Sequence, residues 1–328
     1  MQPEYLFIRV LEACNADCFM CRFRLSKDRY RFPAYALERL LPRVYEEGIR
    51  YVRFTGGEPL LHTEIVRMVA ITLQAGMLSS IITNGSLLAK KMDDLAAAGL
   101  GQVIVSIDGS NAQTHDEIRG TPGLFDRAIT GLRAAQGHGI HCRVNTVCGP
   151  RNFREMPALQ DLLTQLGVKQ WELSSLKLER PLDYTPQDRI DAEAIVEYIY
   201  HDTTRPERLI PMGKVWCGDT LLERERYFST GIPPRADGAC LTVHKVRYLD
   251  AKNDMLYPCS LLPHRPAAPG YASSILSPES FSVLGPQVQQ QADYFQHHGP
   301  SICTGCSTTA AGFSNQLLLN ASTEAWAY

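Results

Sequence analysis

The chain has 328 residues, of which 45% are apolar and 21% are charged, which is ordinary for a globular protein with a sizeable core. Its net charge of −2 gives no general attraction to nucleic acid, so no nucleic-acid partner is expected. The apolar run near residue 5 is interrupted by Arg9 and Glu12 and is too charged for a signal peptide or a membrane span. We therefore predict a cytoplasmic protein without a membrane association.

Strand-like runs alternate with amphipathic stretches of helical length through residues 5–200. The predicted strands are 5–11, 51–55, 78–83, 102–107, 141–147 and 170–176, and the predicted helices are 34–47, 64–74, 87–98, 124–136, 153–166 and 186–200. This alternation predicts an α/β fold with parallel strands and right-handed crossovers, a partial (β/α)6 barrel over residues 1–202. Its active site is expected at the carboxyl ends of the strands.

The alternation fades after residue 202. Residues 203–237 are rich in Pro, Gly and Arg and are predicted to be an irregular connecting region. Residues 238–328 are predicted to form a small second domain, which starts with a strand after Cys240, a turn at 251–254 and a returning strand that ends at Cys259.

Three of the ten cysteines stand together in CNADCFMC, directly after the first predicted strand. Cys14, Cys18 and Cys21 are spaced C-x3-C-x2-C. One disulfide would leave a thiol over, and a closed tetrahedral zinc site would need a fourth ligand nearby. The spacing therefore indicates a three-thiolate site with one position open.

The next three strands end in turn motifs that contain glycine. These motifs are TGGEP at 55–59, TNG at 83–85 and SIDG at 106–109. A glycine turn after one strand is commonplace. Four successive strands that all end in such motifs, with the cysteines after the first, indicate a single site.

Together these motifs closely resemble the radical S-adenosylmethionine superfamily. In that family the three cysteines bind three irons of a 4Fe–4S cluster, and the amino and carboxylate groups of S-adenosylmethionine bind the fourth iron. Carried over by position, Cys14, Cys18 and Cys21 are the iron ligands, and Glu58 accepts hydrogen bonds from the methionine amino group. The other implied S-adenosylmethionine contacts are Gly56, Gly57 and Pro59 in the glycine motif, and Ser106, Asp108 and Asn145 toward the ribose. Met20 departs from the aromatic residue that many members carry.

A second cysteine pattern lies in the last third of the chain. Cys240, Cys259, Cys303 and Cys306 resemble the Twitch domain, which holds a second, auxiliary 4Fe–4S cluster. Zinc on the same four ligands is the alternative. Of the remaining thiols, Cys142 and Cys148 are predicted to be packed in the core, whereas Cys217 lies in the irregular region.

The resemblance implies that a reduced cluster cleaves S-adenosylmethionine to a 5'-deoxyadenosyl radical that abstracts hydrogen from the substrate. A flavodoxin or ferredoxin is the implied reductant. The stretches ACNADCFMC and YPCSLLPHR resemble antibiotic-pathway enzymes that act on sugars: the cytosylglucuronic acid-processing enzyme of blasticidin-type biosynthesis, aminoglycoside epimerase and 2-deoxy-scyllo-inosamine dehydrogenase. Arg22 and Arg24 open a basic loop that suits a carboxylate. We therefore expect dehydration or decarboxylation of a nucleoside uronic acid.

Other readings stay open at this stage. Epimerisation of an aminoglycoside needs a hydrogen donor, for which Cys217 is the candidate, and oxidation to a ketone needs the second cluster as electron acceptor. Candidates for acid-base chemistry are Glu172, Lys177, Glu179 and His244. A protein of another class, an electron carrier with two clusters, is disfavoured by GGEP beside an open cluster.

Overall fold

The computed structural model describes residues 4–178, 180–201, 210–211, 221–231, 245–253 and 255–259. The strands are β1 Tyr5–Leu11, β2 Tyr51–Gly56, β3 Leu78–Thr83, β4 Gln102–Ser106, β5 His141–Cys148, β6 Gln170–Ser175, β7 Ile210–Pro211, β8 Val246–Asp250 and β9 Met255–Tyr257. The helices are α1 Ala34–Glu46, α2 Ile65–Gln74, α3 Leu88–Ala97, α4 Ala112–Arg119, α5 Leu124–Gly137, α6 Met156–Gln165, α7 Pro186–His201 and α8 Leu221–Thr230.

The strands form one sheet in the order β7-β6-β5-β4-β3-β2-β1-β8-β9. In the part of the chain that the structure describes, neighbouring strands are parallel except β8 and β9, which are antiparallel. From β1 to β6 each strand pairs with the next one along the chain, as repeated right-handed crossovers require. The predicted α/β partial barrel is confirmed.

The two faces of the sheet have different chemistry, because successive side chains of a strand point to opposite faces. On the outer face, apolar residues such as Ile8, Phe54 and Val144 are fully buried in one core with the helices. The intervening positions form what we call the inner face. Its charged and amide residues are Arg9, Arg53, Gln102, Arg143, Asn145, Gln170, Glu172 and Asp250.

The predicted hairpin is present, and it is joined to the barrel. β8 pairs in parallel with β1, and β9 pairs in antiparallel with β8. The part of the predicted second domain that the structure describes therefore shares its sheet with the first. Near this junction the inner face is filled by a small apolar cluster of Tyr5, Phe7, Val246 and Tyr248.

Two helices differ from the prediction. Helix α4 was not predicted, because its sequence AQTHDEIR carries almost no apolar periodicity. Helix α8 lies inside the region 203–237, which was predicted to be irregular; residues 223–226 are all charged, but the helix buries Tyr227 and Phe228. Among the residues described, no helix is both long and apolar enough to cross a bilayer.

Removal of one charge from the link between β1 and β8 should destabilise the fold. The Arg9 and Asp250 side chains form an ion pair and are only 7% and 2% exposed. Asp250→Asn removes the nearer carboxylate from the buried arginine and leaves Glu12 at 3.7 Å, so we expect the free energy of unfolding to fall by about 1–3 kcal/mol in urea titrations.

The matched control is Glu38→Gln, which removes an equivalent charge from an exposed pair. Glu38 lies 3.5 Å from Arg67, with side chains 62% and 55% exposed. Such a pair contributes at most about 1 kcal/mol. Equal losses for the two variants would contradict a structural role for the buried pair.

Candidate functional site

The segment between β1 and the turn at residue 22, which we call the Cys loop (residues 12–21), carries the three cysteines. Cys18 is buried, Cys14 and Cys21 are half-buried, and the Cys21 N–H donates to the Cys18 carbonyl at 3.0 Å. Burial raises the pKa of the Cys14 thiol to about 11, and the charges of Cys18 and Cys21 act in the same direction. A cationic group bound at this position would therefore favour the thiolate form of Cys14.

The glycine motif at the end of β2 packs directly on the backbone of the Cys loop. The Gly57 N–H donates to the Leu11 carbonyl at 3.0 Å, and the Glu58 N–H donates to the Ala13 carbonyl at 2.9 Å. A Cβ on Gly57 would lie 2.2 Å from the Ala13 oxygen, so no other residue fits there. At Gly56, with φ of +138°, a Cβ would lie 2.2 Å from the Leu11 oxygen. These glycines are required by the close approach of two backbones.

Glu58 is used inside the protein. Its side chain is fully buried, and it accepts hydrogen bonds from the Leu60 N–H at 2.9 Å, the Thr83 hydroxyl at 2.8 Å and the Asn84 N–H at 2.7 Å. Burial raises the pKa of Glu58, and these donors act against that shift. In this arrangement the carboxylate connects β2 to the end of β3, and the backbone of the motif faces the Cys loop. The predicted contact of Glu58 with a methionine amino group stays a prediction.

Asp108 has contacts inside the protein. It is fully buried; its Oδ1 accepts from the Val147 N–H at 2.8 Å and its Oδ2 lies 2.6 Å from Arg119 Nε. Its predicted contact with a ribose stays a prediction. Asp108 holds Arg119, whose Nη1 lies 3.8 Å from Cys18 Sγ.

Arg119 and Asn84 both reach a cysteine sulfur, and sequence reasoning assigned a role to neither. Burial raises the pKa of Cys18, whereas the Arg119 guanidinium lowers it. Asn84 Nδ2 lies 3.9 Å from Cys14 Sγ and donates to Asn15 at 2.9 Å. Asn84 was visible in the TNG motif, but Arg119 had no signal because helix α4 was not predicted.

The end of helix α4 supports the Cys loop from the other side. The Asp17 N–H donates to the Arg119 carbonyl at 3.0 Å and the Phe19 N–H to the Ile118 carbonyl at 3.3 Å. Gly120 has φ of +60°, and a Cβ there would lie 2.4 Å from the Asp17 oxygen. The loop is thus held between the glycine motif and α4.

Ser106, Asn145 and Glu172 are in register on β4, β5 and β6, so they lie side by side across the sheet. Asn145 Oδ1 is a buried atom without a hydrogen-bond partner among the described residues. Ser106 stands at the carboxyl end of β4, with Asn145 beside it on β5, and their contact with a ribose stays a prediction. Glu172, a predicted acid-base group, is paired with Arg143. Lys177 is half-buried just after β6.

The remaining candidates are more scattered. Arg22 and Arg24 lie in an exposed 3-10 turn after Cys21, where Arg24 is 3.3 Å from Asp17. Pro59 is buried directly after Glu58. Cys142 and Cys148 are buried in the core, as predicted. Cys259 is half-buried beyond β9. Outside the described residues lie Glu179, Cys217, Cys240, His244, Cys303 and Cys306.

The donor set fits a 4Fe–4S cluster with one iron open. Within the described ranges, no three His, Cys, Asp or Glu side chains converge on a single metal ion. A tetrahedral zinc site would bring its sulfurs to about 3.8 Å from one another. In a 4Fe–4S cluster each thiolate binds a different iron, so the three sulfurs do not have to meet at one metal ion. The three soft thiols, of which Cys18 lies beside the Arg119 guanidinium, therefore suit a 4Fe–4S cluster.

Comparison with protein families agrees with this site. Residues 8–163 match the model of the Radical SAM superfamily. This part of the chain, which contains the Cys loop and strands β2 to β5, therefore carries the sequence pattern of the Radical SAM superfamily. The superfamily uses S-adenosylmethionine and a 4Fe–4S cluster.

Similar proteins of known activity differ from one another. An AdoMet-dependent heme synthase of Methanosarcina barkeri is 30% identical over 172 residues, 51% of this chain and 48% of the relative. A probable GTP 3',8-cyclase of Saccharolobus solfataricus is 31% identical over 199 residues, 60% of this chain and 64% of the relative. The chain thus spans about half of the heme synthase.

Solved structures share the fold. Streptococcus suis SuiB bound to S-adenosylmethionine superposes with a TM-score of 0.68 at 18% identity, over 89% of this chain and 68% of SuiB. Native anSMEcpe with bound AdoMet gives a TM-score of 0.64 at 17% identity, over 90% of this chain and 82% of its own.

Glu58→Gln should weaken S-adenosylmethionine binding while the iron content stays unchanged. The amide replaces an acceptor oxygen with an N–H group that faces other donors, so the end of β2 loses its connection to β3. We expect affinity to fall about tenfold, measured by calorimetry on anaerobically reconstituted protein.

The control is Glu46→Gln, which changes an exposed residue at the end of α1. It should bind S-adenosylmethionine like the unmodified protein. Wild-type affinity in Glu58→Gln would show that this carboxylate does not position the glycine motif.

Proposed function

We propose that this protein is a radical S-adenosylmethionine enzyme that abstracts a hydrogen atom from an organic substrate. One observation carries the proposal. The backbone of Gly56 and Gly57 packs against the Cys loop, which contains three cysteines and no fourth cysteine or histidine. When bound, the cluster and S-adenosylmethionine supply the radical. The protein residues bind and orient these groups.

The roles of the residues follow from their contacts. Cys14, Cys18 and Cys21 hold the cluster, and Asn84 and Arg119 hold two of the sulfurs in place. Ser106 and Asn145 offer polar atoms toward the ribose from the neighbouring strands β4 and β5. The inner face of the sheet then lies beside the reacting carbon and shields it from water.

For the substrate we propose a sugar carbon of an anionic natural-product intermediate, such as a nucleoside uronic acid. Buried arginines on the inner face support an anionic group. After hydrogen abstraction, loss of water or carbon dioxide is redox-neutral when one electron and one proton return to the product. The names of the relatives, a heme synthase and a GTP cyclase, show that this domain serves several substrate classes.

A second cluster in a Twitch-like arrangement is part of the proposal. Cys259 stands at the end of the hairpin that joins the sheet beside β1. Its proposed partners Cys240, Cys303 and Cys306 lie outside the described residues. Four thiolates complete the coordination, so this cluster would transfer electrons that a flavodoxin or ferredoxin supplies.

The activity is tested by anaerobic reduction of the reconstituted protein with S-adenosylmethionine. We expect methionine and 5'-deoxyadenosine in equal amounts, detected by mass spectrometry. Replacement of Cys14, Cys18 and Cys21 by Ala should abolish both products, whereas Cys142→Ala, at a core cysteine, should retain them. Wild-type protein that carries both clusters but forms neither product would favour an electron carrier.

Iron analysis tests the second cluster separately. The wild-type protein should bind roughly eight irons per chain, and the triple variant of the Cys loop roughly four. A wild-type value near four, accompanied by one zinc ion, would mean that the later cysteines form a zinc site.

A further inference from the structure

Charge is concentrated on the inner face of the sheet. Arg9, Arg53 and Arg143 are each less than a tenth exposed. Along the described strands, the carboxylates on that face are Glu172 and Asp250, which pair with Arg143 and Arg9. Buried arginines suit a negatively charged group on a bound molecule, provided that the group meets donors that are not already used.

Arg143 points to the inner face because of its place in β5. The neighbouring residues Cys142 and Val144 belong to the core under the helices, and strand side chains alternate. Arg143 and Asn145 therefore share the opposite face. Only 4% of Arg143 is exposed, although a charged side chain of this size is seldom buried without full pairing.

The hydrogen bonds of Arg143 are incomplete. One nitrogen, Nη2, donates to Glu172. Its Nε and Nη1 are buried and have no hydrogen-bond partner among the residues described. A guanidinium has five N–H donors, so three of those of Arg143 are left without an acceptor. Native proteins satisfy buried donors with protein, water or ligand.

The other two arginines of the inner face are better satisfied. Arg53 donates to Ser80 at 2.9 Å and to Gln102 at 3.1 Å. Arg9 is paired with Asp250 and lies 3.7 Å from Glu12. Arg143 is thus the inner-face arginine with the largest unmet capacity for an acceptor within the described ranges.

The position of Arg143 relative to the proposed cofactor site indicates what it holds. Asn145, two residues nearer the carboxyl end of β5, is in register with Ser106 in the layer proposed to meet the ribose. Arg143 is one layer further from the Cys loop on the same face. A group bound by Arg143 would therefore lie next to the cofactor layer, inside the barrel, where a substrate must be for hydrogen abstraction.

We propose that Arg143 anchors a carboxylate of the substrate on the inner face, through the donors that its internal partner Glu172 does not use. This inference rests on the proposed function and names the substrate class of that site. A carboxylate fits better than a phosphate because Glu172 is adjacent, and a dianion would meet stronger repulsion there. Arg22 and Arg24 are less suited to this task, since both are exposed and Arg24 is occupied by Asp17.

The experiment uses reconstituted full-length protein, kept anaerobic, with D-glucuronate and D-glucose as probes. These sugars differ only at C6, where one carries a carboxylate and the other a neutral alcohol. We expect D-glucuronate to bind and to raise the melting temperature, and D-glucose to do neither at the same concentration. Arg143→Gln should weaken D-glucuronate binding about ten- to a hundredfold.

Matched variants separate the possible anchors. Arg22→Gln and Arg24→Gln should bind D-glucuronate like the wild type. Arg143→Lys should retain part of the affinity because it keeps the charge but loses the planar guanidinium. Glu172→Gln removes the internal carboxylate that competes for Arg143, so it should bind D-glucuronate more tightly; a purely structural ion pair would not show this gain.

Three results would overturn the inference: no preference of the wild type for D-glucuronate, wild-type binding by Arg143→Gln, or loss of binding only in the Arg22 and Arg24 variants. If Arg143→Gln does not fold, the Lys and Glu172→Gln variants decide. The anion site and the radical chemistry can fail separately. If the protein cleaves S-adenosylmethionine but D-glucuronate binding does not depend on Arg143, only the anion site is refuted. If D-glucuronate binding depends on Arg143 but S-adenosylmethionine is not cleaved, only the radical chemistry is refuted.

Discussion

The contact between the Gly56–Gly57 backbone and the Cys loop is the constraint on which the rest of the site depends. Two backbones approach so closely that even a methyl group on either glycine would overlap a carbonyl oxygen. The hydrogen bonds of this contact fix the loop at the point where β1 ends, and the Glu58 carboxylate extends the same connection to β3. Contacts with the sheet therefore fix the positions of the three thiols.

Buried ion pairs organise the opposite side of the site. The Asp108–Arg119 pair connects the end of β4 to Cys18, so the pair sets both the orientation of α4 and the electrostatic environment of one sulfur. Burial of any of these charged groups alone would be costly. Loss of one member of the network would leave another charge buried without its partner. The inner face follows the same principle, with Arg9 and Arg143 each held by a carboxylate from a neighbouring strand.

The strands and most helices were predictable because parallel strands buried on both sides read as short apolar runs, and the helices between them are amphipathic. The cysteine positions were also predictable, since spacing is visible in the chain. The internal contacts of Glu58 and Asp108 were not predictable, because the sequence does not show which distant groups a carboxylate meets. Their partners Asn84 and Val147 are 26 and 39 positions away. Arg143 was overlooked for the same reason, since only the three-dimensional register reveals that its donors lack acceptors.

The pairing of β8 with β1 has a consequence for the order in which the protein assembles. Arg9 and Asp250 are 241 positions apart in the chain. During synthesis, β1 is made before β8, so one edge of β1 stays open until the later strand is available. Open strand edges invite incorrect pairing, and contacts of such long sequence separation form slowly. The sheet is therefore completed on both sides of the strand that carries the Cys loop only after the distant β8 has paired with it, and until then the open edge is accessible to chaperones.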